Sequence, residues 1–142
     1  MKTLGQALTA EFYNCNREIL DNVTLVEKLM KEAALEAKAT IVESVFHRFS
    51  PYGVSGVVVI SESHLAIHTW PEYGYAAVDI FTCGAHVDPW VACRYLEAKF
   101  QAEHVEASEM RRGFMESIMK HSMKQAIAPE YFSHKPMEQV AV

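Results

Sequence analysis

The chain has 142 residues, half of them hydrophobic and 22% charged, with a net charge of −5. That length fits one domain with a substantial core. Lysines and arginines are scattered, which excludes the basic stripe of a nucleic-acid footprint and fits either plain solubility or a cationic small ligand.

The first expected element is a strand over residues 6 to 14, where Leu8, Ala10 and Phe12 alternate with Thr9, Glu11 and Tyr13. Glu11 also falls where an export signal needs an apolar run, and no window reaches the ~18 apolar residues of a membrane span. Asn22 is placed to cap a helix running to about Ala37, with Val26, Leu29, Met30, Ala33, Ala34 and Ala37 on one face. Residues 40 to 49 alternate again, with Ile41, Val45 and Phe49 expected on one side and Glu43 and His47 between them. A loop at Ser50-Pro51-Tyr52-Gly53 follows.

Gly56 to Ile60 is a short apolar run suited to a strand covered on both faces. His64 to Trp70 is expected as a strand, Pro71 to Gly74 as a turn, and Tyr75 to Thr82 as another strand containing Asp79. Asp88-Pro89 reads as an N-cap and first helical residue, opening a helix to about Phe100. A strand over 104 to 111, a short helix over 114 to 127 and a loose end complete the chain. Strands outnumber helices and several are hairpin-connected. The expected fold is therefore an α+β two-layer sandwich, with a mostly antiparallel sheet and helices on one face. The sheet's other face needs cover, which a second subunit would supply. Cys15, Cys83 and Cys93 form no CxxC pair and read as reduced thiols in a cytoplasm.

The segment Ser61-Glu62-Ser63-His64 is a poor turn by composition, yet it interrupts two apolar strands. His64, His68, Glu72 and Cys83 are all metal-ligand types. On a strand, however, His64 and His68 stand roughly 13 Å apart, too far to share one zinc. Cys83 with either histidine could form an activated thiolate, or Cys83 could simply be a small hydrophobe at a strand end. A third chemistry concerns the Glu62–Ser63 bond. A serine hydroxyl can attack the preceding carbonyl if a strained turn aims it, a base takes its proton and donors meet the oxyanion. The resulting ester can eliminate and hydrolyse to a pyruvoyl group. The same residues also suit a solvated hairpin end.

The stretch SGVVVISESHLAIHTWPEYGYAAVDIFTCG closely resembles the prokaryotic type of S-adenosylmethionine decarboxylase proenzyme. So do LTAEFYNC near the N-terminus and HRFSPYGVSG before the central stretch; together the resemblance covers roughly residues 4 to 95. It implies one domain over 1–142, cut between Glu62 and Ser63 into chains 1–62 and 63–142. Ser63 would become the pyruvoyl group that captures the substrate amine as a Schiff base. His68 matches the processing base, Ser55 a residue that helps cleavage, and Cys83 the proton donor of the decarboxylation. Phe49 and Trp70 are candidates to stack adenine and Glu72 to hold ribose hydroxyls, although sheet packing is the commoner role for such aromatics and a solvated turn explains Glu72 equally well.

The resemblance also implies sites between protomers of a homodimer, or of a heterotetramer once both chains are cut. From the residues themselves, no metal, pyridoxal phosphate, nucleic acid or membrane is expected. The expected activity is decarboxylation of S-adenosylmethionine, supplying aminopropyl groups for spermidine. Two alternatives stay open: a pyruvoyl-dependent decarboxylase of ornithine or arginine, and a non-catalytic partner subunit.

Overall fold

The computed structural model describes residues 2–124. Leu8, Ala10 and Phe12 lie buried along β1 (Thr3–Tyr13), whose alternate side chains turn the other way. The strand pairs antiparallel on both edges, with β5 (Tyr75–Cys83) and with β6 (His104–Phe114). β5 continues to β4 (Ser63–Trp70), β3 (Val54–Ile60) and β2 (Ile41–Arg48), all antiparallel. The sheet order is β2-β3-β4-β5-β1-β6.

One face is covered by helices. α2 (Val23–Glu36) lies on β2 and β3, and α3 (Pro89–Lys99) on β1 and β5; the two helices also touch each other. Both start where their caps dictate. The Asn22 side chain accepts from the Leu25 N–H and the Asp88 side chain from the Trp90 N–H, each satisfying an otherwise orphaned donor. The buried stripe Val26, Leu29, Met30, Ala33 and Ala34 meets Val54, Val58, Ile60, Leu65 and Ile67 from the sheet. The expected two-layer α+β architecture is present.

Four local expectations need correction or extension. A short helix, α1 (Arg17–Leu20), precedes α2 and had no periodic signal, being a single turn capped by Asn16. β2 does not carry Ile41, Val45 and Phe49 on one side. A bulge between Ile41 and Glu43 resets the alternation, so Ile41 packs on the core while Val45 and Phe49 stand exposed beside His47. β3 is covered on one face only: Val58 and Ile60 are buried, whereas Val57 and Val59 turn to the helix-free side. β6 runs on to Phe114, and α4 (Met115–Lys124) follows; the rest of the expected terminal helix and the loose end lie outside the described residues.

The helix-free face is partly apolar. Val45, Val57, Val59, Ala66, Phe81, Ala7 and Met110 share it, as cross-strand register requires. Met110 is 64% exposed and Val45 61%.

On the helix side, Gly56 lets the Phe46 ring lie flat over the backbone of the neighbouring strand. A Cβ there would stand 2.0 Å from Phe46 Cδ2. Gly56→Ala should therefore expel the ring from its seat beside α2 and cost about 1–3 kcal/mol. The expected outcome is a thermal midpoint several degrees lower; an unchanged midpoint would show that Phe46 relaxes freely.

Candidate active site

The candidate chemistry sits where β3 turns into β4. Ile60 pairs with Ser63, so Ser61 and Glu62 alone form the loop. Composition disfavoured a tight turn here, but tertiary hydrogen bonds outweigh it. The Ser61 N–H donates to the Thr40 carbonyl at 2.9 Å, and the Thr40 N–H donates back to Glu62 Oε1 at 3.0 Å. The Cys83 N–H donates to the Glu62 carbonyl oxygen at 2.7 Å.

Ser63 pays for this closure with a φ of 140°, a region that L-residues rarely adopt; such strain typically costs about 1–3 kcal/mol. Its Oγ lies 3.3 Å from Nδ1 of His64. The carbonyl before Ser63 thus carries a preset N–H donor, and the serine next to it is held out of a relaxed strand conformation.

Glu62 is the unusual residue of the turn. It is only 7% exposed although it sits at a hairpin tip. Its Oε2 is 3.0 Å from Nε2 of His86. Burial pushes its carboxyl up, but the hydrogen bonds from the Thr40 N–H and His86 outweigh burial and hold it below the ordinary carboxylate value.

Cys83 ends β5 with its side chain exposed. Its pairing neighbour on β1 is Gly5. Phe81, two residues earlier on the same face, is stacked by His64 at 6.1 Å and covered by the Arg112 guanidinium at 4.8 Å from the ring centroid. Ser63 pairs with Thr82, the residue before Cys83. The turn, the strained serine and the thiol therefore form one cluster. Burial pushes the Cys15 thiol up to about 11 and raises that of Cys93 as well.

The other expected residues form a second cluster at the far end of β4. Ser55 Oγ and His68 Nδ1 are 2.8 Å apart. With Phe49, Tyr52, Trp70 and Glu72 they line a cleft of about 250 Å³. Trp70 leans on His68 at 6.5 Å and on Tyr75 at 5.3 Å. His68 is five residues along the strand from Ser63, about 16 Å away. Within one chain His68 is out of reach of the Ser63 hydroxyl, and His64 is the near imidazole. A larger cleft of about 570 Å³ opens between Gly5, Thr82, Gly84 and Arg111, beside the Ser63 cluster but not lined by Ser63 or Cys83.

Sequence reasoning missed Thr40, His86, Arg112 and the Cys83 backbone N–H. None lies in a recognisable spacing, because long-range pairing brings each to the turn. Gly84 was the available hint: its φ of 88° marks the bend that returns His86 toward Glu62. Among the described residues, no group of three or more His, Cys, Asp or Glu converges as a metal site.

A family model described as S-adenosylmethionine decarboxylase matches residues 6–113. The chain belongs to the S-adenosylmethionine decarboxylase family. An S-adenosylmethionine decarboxylase proenzyme from Thermotoga maritima is 64% identical over 118 residues, covering 83% of this chain and 91% of that protein. One from Fervidobacterium nodosum is 56% identical over 138 residues, covering 97% and 95%. Among solved structures, the adenosylmethionine decarboxylase of Aquifex aeolicus superposes with a TM-score of 0.76 at 33% identity, covering 80% of this chain and 94% of that one. The family is one of enzymes, and the antiparallel sheet with helices on one face is a fold it shares.

The exposure of the three thiols predicts their reactivity. A small alkylating reagent on the native protein near pH 8 should modify Cys83 and spare Cys15 and Cys93, as read by peptide mass spectrometry. Equal labelling of all three would contradict the burial of the latter two.

Proposed function

We propose that this chain cuts itself between Glu62 and Ser63 and then decarboxylates S-adenosylmethionine through a pyruvoyl group made from Ser63. The observation that carries the reading is the 2.7 Å bond from the Cys83 N–H to the Glu62 carbonyl, next to a serine with a φ of 140°. The family membership and the names of the relatives support the substrate.

In the first stage Ser63 Oγ attacks the Glu62 carbonyl carbon. The Cys83 N–H stabilises the developing oxyanion; removing one such donor typically costs about 10²–10³ in rate. The C–N bond breaks, leaving an ester and a free α-amine. Loss of the Ser63 Cα proton then expels Glu62 as a carboxylate. Water replaces the nitrogen, which leaves as ammonia, and a ketone heads the chain 63–142. The residues fit this course: a strained serine, an N–H on the carbonyl and an imidazole 3.3 Å from the hydroxyl.

The pyruvoyl group supplies the electron sink for the carbanion left when CO₂ departs, so the reading needs neither pyridoxal phosphate nor a metal. Cys83 then delivers a proton to the substrate Cα. Its place at the strand end beside Ser63 suits that task. Phe49 and Trp70 stack adenine, and Glu72 takes ribose hydroxyls. A sulfonium over an aromatic ring gains about 0.5–2 kcal/mol. The product is an aminopropyl donor for spermidine, made in the cytoplasm, where the thiols stay reduced.

The two clusters meet only across a dimer. The helix-free faces of two copies pack together about a two-fold axis that runs the strands in opposite directions. The Ser63–Cys83 end of one then lies over the Phe49–Ser55–His68 end of the other. His68, held by Ser55 at 2.8 Å, serves as processing base from across this interface. Each dimer carries two composite sites and becomes a heterotetramer when both chains are cut.

The substrate is tested by CO₂ release from S-adenosylmethionine, ornithine and arginine in parallel. Release from S-adenosylmethionine alone is expected, and release from ornithine alone would overturn the assignment. The composite site is tested by co-expressing Ser63→Ala with His68→Ala. Each variant alone should stay uncut, and the pair should restore cleavage of the His68→Ala chain. If that chain is cut at the normal rate alone, His68 is not the base; if the mixture stays uncut, the site is not shared.

A further inference from the structure

We infer that the Glu62 side chain and His86 are positioning residues for the self-cleavage, gripping the turn so that its carbonyl stays aimed at the Cys83 N–H. This rests on the proposed self-processing and adds residues to it.

The Glu62 carboxylate is buried at the tip of the hairpin. A glutamate at the tip of a two-residue hairpin ordinarily reaches into water. Here both carboxylate oxygens are occupied, Oε1 by the Thr40 N–H and Oε2 by His86. The side chain thereby ties the turn to the strand-entry residue Thr40 and to the loop after β5. The main chain of the same residue is fixed by Cys83, and Ser61 by the Thr40 carbonyl. Rotation about Glu62 Cα–C would swing the carbonyl away from the Cys83 N–H, and the two side-chain anchors oppose that rotation.

The loop carrying His86 is shaped for the purpose. Gly84 takes a φ of 88°, and a Cβ there would stand 3.3 Å from the His86 ring. The imidazole folds back over this glycine while its side chain remains 61% exposed. An exposed ring adds little to the core, so its contact with Glu62 is its principal engagement. Strained backbone persists only where its surroundings over-determine it. The grip on Glu62 is part of what keeps Ser63 strained before the bond breaks, and a misplacement of about 1 Å at a reacting centre can cost about 10²-fold.

The test follows cleavage of newly made full-length chain during cell-free synthesis, by denaturing electrophoresis over time. His86→Ala should slow cleavage about tenfold or more. His86→Gln, whose amide can still donate to the carboxylate, should recover most of the rate; His86→Phe, which fills the space without donating, should stay slow. Glu62→Gln should be slowed as an independent variant. Melting of each His86 change in an uncleavable Ser63→Ala background should match that background, separating aim from folding. Normal cleavage of His86→Ala and Glu62→Gln, or rescue by Phe and not by Gln, overturns the inference. An intact wild-type chain is a different result, because it removes the self-processing reading itself.

Discussion

The hydrogen bond from the Cys83 N–H to the Glu62 carbonyl organises the site. It joins the end of β5 to the turn between β3 and β4, and it gives the Glu62 carbonyl an N–H donor. A single bond of this kind nets only about 1 kcal/mol of stability, while the strain at Ser63 costs as much or more. The turn persists because Thr40 adds two further bonds and because the strands on either side are locked by a buried core. Rigidity in the sheet is thus what allows a reactive conformation at its end.

The same rigidity separates the site into halves. β4 carries His64 and His68 on one face but holds them four residues apart, and no strand can fold back to bring the second to Ser63. The cleft formed by Phe49, Ser55, His68, Trp70 and Glu72 holds aromatic and polar groups, yet Ser63 and Cys83 sit at the opposite end of their strands. A partly apolar helix-free face lies between them. In the proposed dimer, a second copy laid over that face would account for its composition and for the division of labour at once.

Much of this was legible in the sequence where local physics decided. Asn22 and Asp88 announced their helices because a cap is a short-range event. The alternation in β1 separated Leu8, Ala10 and Phe12, which are buried, from Thr9, Glu11 and Tyr13. The single-turn helix at Arg17–Leu20 was too short to show a period. The bulge in β2 reversed the faces of Val45 and Phe49, and a bulge leaves no trace in a pattern of apolar residues. At the site, Ser63, Cys83 and Glu62 stood within the segment that resembles the family. His86 and Thr40 reach the turn only through the folded chain, so no spacing rule could have found them. The turn at Ser61–Glu62 looked unsuitable because its stabilising partners are all distant in sequence.

The central claim is that the backbone before Ser63 opens and leaves a ketone. Intact-mass spectrometry of the purified protein, before and after reduction with borohydride, tests it most directly. The account predicts two chains, 1–62 and 63–142, with the second lighter by one ammonia than its sequence mass and heavier by two hydrogens after reduction. A catalytically active protein whose mass is that of the uncut chain, unaltered by borohydride, would contradict it.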